Sequence, residues 1–197
     1  KYTSYLQSKG IKLAHVVANS KFAEKADEAG VDAIVAEGFE AGGHNGREET
    51  TTLSLIPAVR KITEKPLLAA GGISDGRGIS AALTLGADGV QIGSLFAASQ
   101  ESSAHENFKK AVVNAGEGDT QLLMKQVIPV RLIKNKFARK IMQAEARGAD
   151  RETLLHILGK GRAKAGIFEG DENEGELEIG QVSALIHKIL PAESIIN

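Results

Sequence analysis

His44 sits in the run Ala36-Glu37-Gly38-Phe39-Glu40-Ala41-Gly42-Gly43-His44-Asn45-Gly46, which holds four glycines, two carboxylates and an imidazole. Glycine lets a backbone take up φ > 0 or approach a flat ligand closely. Imidazole, with an unperturbed pKa of roughly 6.5, is the side chain best suited to proton exchange near neutrality. An ordinary long turn carrying a solvated histidine would use the same residues. Two more glycine runs follow, Ala69-Ala70-Gly71-Gly72-Ile73-Ser74-Asp75-Gly76-Arg77-Gly78 and Gly86-Ala87-Asp88-Gly89-Val90-Gln91-Ile92-Gly93-Ser94-Leu95-Phe96. Backbone N–H groups left over where a strand turns into a helix can cradle a phosphate. The glycines at 71, 72, 76 and 78 do not fit G-x-G-x-x-G, so the dinucleotide fingerprint is not met. Each run alone is also satisfied by a plain turn. Together, glycine turns after consecutive strands match the phosphate site that barrels build from their last two strand-to-helix loops.

These runs must be positioned by regular elements, and short aliphatic stretches near 12–17, 33–37, 66–70 and 89–92 read as buried strands. Helical spacing covers Ser20 to Ala29, Thr52 to Glu64 and Arg77 to Leu85, each ended by glycine or by Pro66. A similar phrase, Ala29-Gly30-Val31-Asp32-Ala33 and Leu85-Gly86-Ala87-Asp88-Gly89, closes two of these helices and marks a βα repeat. Alternating strands and helices imply parallel pairing, in an open doubly wound sheet or a (β/α)8 barrel. Beyond residue 100 helices are expected near 102–114, 136–146, 152–158 and 181–190, with an extended stretch over 121–133. The chain thus reads as an α/β part over 1–100 and a helical region over 101–197 packed on it.

Composition removes whole classes of function. With 24 Lys plus Arg against 25 Asp plus Glu and no long basic stripe, nothing favours nucleic acid or an anionic membrane surface. Cysteine is absent, which excludes disulfides, thiol catalysis and Cys-ligated zinc and fits a cytoplasmic protein. No apolar run approaches a membrane span, and no His pair or acidic cluster has metal-ligand spacing. A small-molecule substrate and no metal are expected. Phe168 reads as core, and Arg131 to Lys140 as a solvated helix face. Position 1 is Lys within an amphipathic helix read over 1–9, as in a piece of a longer chain.

The segments EAGGHNG at 40–46, AAGGISDGRG at 69–78 and GADGVQIGSLF at 86–96, with AGIFEGD at 165–171 and GQVSALIHKILPAESII at 180–196, resemble one family. It is the FMN-dependent nitronate monooxygenases (2-nitropropane dioxygenases), close to the FMN-dependent enoyl-acyl carrier protein reductases of type II. The resemblance implies the C-terminal half of a TIM (β/α)8 barrel, strands five to eight, plus the helical C-terminal tail. It implies FMN as cofactor, with His44 as catalytic residue and Gly42 against the flavin. Gly71 and Gly72 would receive the FMN phosphate on one side and Gln91, Ile92, Gly93 and Ser94 on the other. The implied reaction is oxidation of alkyl nitronates with O2 to a carbonyl compound and nitrite. The alternative is NAD(P)H-dependent enoyl reduction, with acyl carrier protein as partner. Ser94-Leu95-Phe96 stands where the family usually has Thr-Arg-Phe, and Glu37 where many monooxygenases have Gln, so the branch stays open. A homodimer is expected, and a non-catalytic half-barrel module is the reading from outside enzymology.

Overall fold

A computed structural model of the chain, which describes residues 2–197, divides into two compact units. The first runs to Glu40 and resumes over Glu48–Ile92; the second takes Ala41–Arg47 and Gly93–Asn197. Four strands of the first unit, β1 (Ala14–Val17), β2 (Ala33–Glu37), β4 (Leu67–Ala70) and β5 (Gly89–Gln91), form one parallel sheet in chain order. The intervening strand β3 (Gly43–His44) belongs to the second unit. The amphipathic helix read over 1–9 is α1 (Thr3–Gln7), Lys1 lying outside the described residues.

Side chains alternate across a strand. Val17, Ile34, Ala36, Leu67 and Ala69 therefore share one face, buried under α2 (Ser20–Glu28), α3 (Thr52–Arg60) and α4 (Gly76–Thr84) through Ala23, Leu55, Ile56, Val59 and Ala82. On the opposite face Val16 keeps 49% of its surface exposed. The repeated Gly-x-Asp phrase has a local cause. Asp32 Oδ2 accepts the Leu13 N–H at 3.0 Å, and Asp88 Oδ2 accepts the Leu67 N–H at 2.8 Å. In both places the residue's own N–H donates to the carbonyl of that same leucine, Asp32 to Leu13 and Asp88 to Leu67. Each aspartate thus fastens the entrance of its strand to the neighbouring one.

The second unit contains α5 (Ser94–Ala97), α6 (Glu106–Asn114), α7 (Lys136–Ala146), α8 (Arg151–Leu158), α9 (Arg162–Ile167) and α10 (Ala192–Ile196). It is not purely helical. The stretch read as extended over 121–133 is a hairpin, β6 (Thr120–Leu123) and β7 (Val130–Ile133), and β3 joins it in an antiparallel sheet ordered β3-β7-β6. Asn135 caps α7 by accepting the Ala138 N–H and donates to the carbonyls of Glu172 and Gly175. The expected helix over 181–190 is instead a 3-10 turn, Gln181–Leu185, followed by α10. Pro191, which lacks an N–H, separates them as the residue before α10. Phe168, read as core, is 54% exposed because it terminates α9 on the surface. Within the basic run Arg131 is buried in β7, whereas Lys136, Arg139 and Lys140 do face solvent.

Candidate functional site

His44 is presented by the shortest strand among the described residues. Gly43 has φ +74°, and the two residues of β3 pair with Arg131 and Val130 of β7. Two residues alone cannot hold such a strand, and the loop around it supplies the rest. Asn45 donates its N–H to the Pro129 carbonyl at 2.9 Å and its side-chain amide to the carbonyls of Ala41 and Gly43, both at 3.0 Å. The Arg47 guanidinium donates to the carbonyls of Lys125 at 3.0 Å and Val127 at 2.8 Å. The imidazole itself is exposed.

Beside it lies a cavity of about 290 Å³, walled by Met124, Val127, Val130, Leu155 and Leu158, with His44, Arg162, Glu176 and Glu178 as its charged or titratable lining. Ile128 and Leu155 are exposed at its edge, 53% and 38%. Met124 has φ +61°, uncommon for a residue with a side chain, and its N–H is held by Glu145 Oε1 at 2.9 Å. The carboxylates arrive by way of β7. Leu132 pairs with Gln121 of β6 and also forms an antiparallel bridge to Glu178. Glu178 therefore continues the edge of β7 that β3 occupies, and its Oε2 would lie 2.9 Å from a Cβ at Gly43. Burial raises the pKa of Glu178, opposed by the positive charge of a protonated His44. Burial, then repulsion from Glu178, pushes Glu176 up to about 7, with Arg162 pulling the other way.

The residues expected to hold a cofactor fall in both units. In the first, Gly71 and Gly72 follow β4 with φ +90° and +74°, a conformation that favours glycine. Ala70 and Gln91 are register partners, so the turns that begin at Gly71 and Ile92 leave neighbouring strand ends. Gly72 and Gln91 are exposed, while the Ile92 side chain packs on the core. The N-terminus of α4 is occupied by its own cap. Asp75 accepts the N–H groups of Arg77 at 2.9 Å and Gly78 at 3.2 Å, which restricts the phosphate-cradle reading to the Gly71–Gly72 turn. Glu40, which approaches Gly72, places both carboxylate oxygens on Thr52. At the end of β2, burial raises the pKa of Glu37.

In the second unit, Gly93 is exposed and no atom stands within 4 Å of where its Cβ would be. Ser94 Oγ accepts the Gly180 N–H at 3.1 Å, leaving its own hydroxyl hydrogen able to donate. A Cβ at Gly42 would overlap the backbone of Ile179 and Gly180, so the close approach that demands glycine there is to the chain itself. Gly42, Ser94 and Gly180 are thereby brought together. Within the first unit, the Gly71–Gly72 turn leaves its backbone beside a paired parallel strand end, the kind of place where a phosphate can be held. The sequence reading passed over Arg47, Arg162, Glu176 and Glu178. The alternation Glu176-Leu177-Glu178-Ile179 was the available signal, a strand with one polar face.

The family model described as nitronate monooxygenase matches residues 2–197. Probable nitronate monooxygenases of Staphylococcus aureus are similar, at 34% identity for strain MSSA476 and 38% for strain JH9, each over 98% of this chain. The chain spans 56% of the length of those relatives. Among solved structures, FabK from Thermotoga maritima superposes with a TM-score of 0.91 at 39% identity, covering 99% of this chain and 62% of that one. Nitroalkane oxidase from Streptomyces ansochromogenes gives 0.79 at 32% identity, covering 98% and 57%.

Proposed function

The chain belongs to the nitronate monooxygenase family, and on that premise we propose that the full-length protein is an FMN-dependent oxidoreductase converting alkyl nitronates and O2 to a carbonyl compound and nitrite. In this reading the four parallel strands are strands five to eight of a (β/α)8 barrel, and likeness to FabK and to nitroalkane oxidase supports that placement. FMN, when bound, supplies the electron chemistry. Gly71, Gly72, Gln91, Ile92, Gly93 and Ser94 would hold its phosphate, with the backbone N–H groups of the glycines and the Ser94 hydroxyl as donors. Gly42 keeps the His44 loop against the backbone of Ile179 and Gly180.

The observation that carries the reading is the exposed His44 imidazole at a cavity with a largely aliphatic wall. The imidazole can take the proton from the carbon bearing the nitro group, at a ring nitrogen, when the substrate arrives neutral, while the aliphatic wall receives the carbon chain. The cavity walls exclude water and orient the chain. The second reading is FMN- and NAD(P)H-dependent enoyl-acyl carrier protein reduction, which the likeness to FabK supports. Anaerobic mixing of the full-length flavoprotein with a nitronate, and separately with NADH and NADPH, tests both. Rapid bleaching by the nitronate alone supports the monooxygenase. Rapid bleaching by a nicotinamide alone transfers the assignment to the reductase.

A further inference from the structure

We propose that Glu176 and Glu178 make the cavity beside His44 selective by charge, admitting short alkyl chains that end in an uncharged or cationic hydrogen-bond donor and rejecting chains that end in a carboxylate. The proposal deepens the functional reading above and rests on it in one respect, that the cavity receives the carbon chain of the substrate whose head meets His44.

The cavity is small. At about 290 Å³ it stands at the lower end of small-molecule sites, which run to roughly 300–1,000 Å³, and suits a short chain. Its walls are aliphatic, so a chain binds by leaving water and only a polar end can discriminate. Two glutamates separated by one residue both line it, and Glu176 is 8% exposed. Both side chains reach the cavity, whereas Leu177 between them lies in the core.

Positive charge is present but committed. Arg162 Nε donates to the Leu158 carbonyl at 2.6 Å, Nη2 to Ile157 at 3.1 Å and Nη1 to the Glu174 carbonyl at 2.6 Å. Its guanidinium carbon lies 4.3 Å from the centroid of the Phe137 ring. Those bonds hold α8 and the 174–176 segment in place and leave little of the cation to meet a ligand anion. His44 is the other titratable group, and it faces the cavity from β3. A carboxylate tail would add a third negative group where burial already opposes ionisation of the two present, as their raised pKa values show. A hydroxyl or ammonium tail would instead donate to them.

Binding of three probes to the full-length protein at pH 8, 1-hexanol, hexylamine and hexanoate, followed by ligand-observed NMR titration, tests the proposal. Hexanol and hexylamine should bind, with hexanoate at least tenfold weaker. E176Q/E178Q should bring hexanoate within about threefold of hexanol, and the single change E178Q, at the less buried of the two positions, should close part of the gap. Ala163→Trp, which fills the cavity, should abolish binding of hexanol and hexylamine. Hexanoate binding as tightly as hexanol to the unaltered protein would overturn the proposal. An unmoved ratio in folded E178Q and E176Q/E178Q, or hexanol binding that survives Ala163→Trp, would do the same. The assay reads binding without turnover. Its failure would leave the flavin chemistry standing, and a protein that nitronate and nicotinamide both fail to bleach would leave charge selection standing.

Discussion

Replacing Glu176 with glutamine should stabilise the protein, and by an amount that depends on pH. Burial and the neighbouring Glu178 push Glu176 from an ordinary 4.5 to about 7. At about 1.4 kcal/mol per pH unit, that displacement corresponds to at most about 3 kcal/mol of free energy, spent on ionising the carboxyl in the folded state. Between about pH 4.5 and 7 the folded protein holds a proton that the unfolded chain has released. Stability of the unaltered protein therefore falls as pH rises through that window, is free of the penalty below about 4.5 and carries all of it above about 7. Glutamine never ionises. E176Q should thus exceed the unaltered protein by roughly 1–3 kcal/mol at pH 8, and the two should converge near pH 4 apart from a residual hydrogen-bond difference. For a chain of this size that is a rise in Tm of about 2–4 °C per kcal/mol. Urea denaturation of both proteins at pH 4, 6 and 8 measures it. A stability difference that is flat across the three pH values, or one that shrinks toward pH 8, would refute the placement of Glu176 in a poorly hydrated cavity.

Four further outcomes follow from the geometry. Changing His44→Asn in the full-length flavoprotein should retain FMN and lower turnover of a neutral nitroalkane by about 100- to 10,000-fold, while a preformed nitronate suffers less; stopped-flow flavin reduction with each substrate decides. Gly42→Ala places a Cβ in the backbone of Ile179 and Gly180, so it should cost roughly 1–3 kcal/mol, read as a fall in Tm. Arg47→Ala removes the two donors that tie the His44 loop to Lys125 and Val127; faster hydrogen exchange at the Asn45 amide than at the Leu67 amide would register the loosening. Gly93→Leu enters open space at φ −94° without strain, so loss of bound FMN at unchanged Tm would locate the phosphate, and unchanged flavin content would move it elsewhere.

Much of this molecule is determined locally, and that part is legible in the sequence. Four aliphatic runs, the first three each followed by a helix with its own stop signal, bury themselves as parallel strands under helices, and the sheet follows chain order as that pattern requires. The glycines at 71, 72 and 43 stand where φ is positive because no other residue adopts that backbone at so little cost. Asp75 before Gly76 is a legible cap signal too, and its side chain takes the helix donors that the glycine pattern alone had suggested for a phosphate. Tertiary structure alone decided the surroundings of His44. A strand of two residues and a single bridge at Glu178, with only the four-residue alternation 176–179 beside it, are too short to be placed by periodicity, and both exist because β7 offers them a hydrogen-bonding edge. Glu176 and Glu178 in sequence are two members of an acidic loop more than 130 residues downstream of His44; only that edge turns them into one buried and one half-buried carboxylate facing a shared cavity, because pKa and selectivity depend on what is near in space and not on what is near along the backbone.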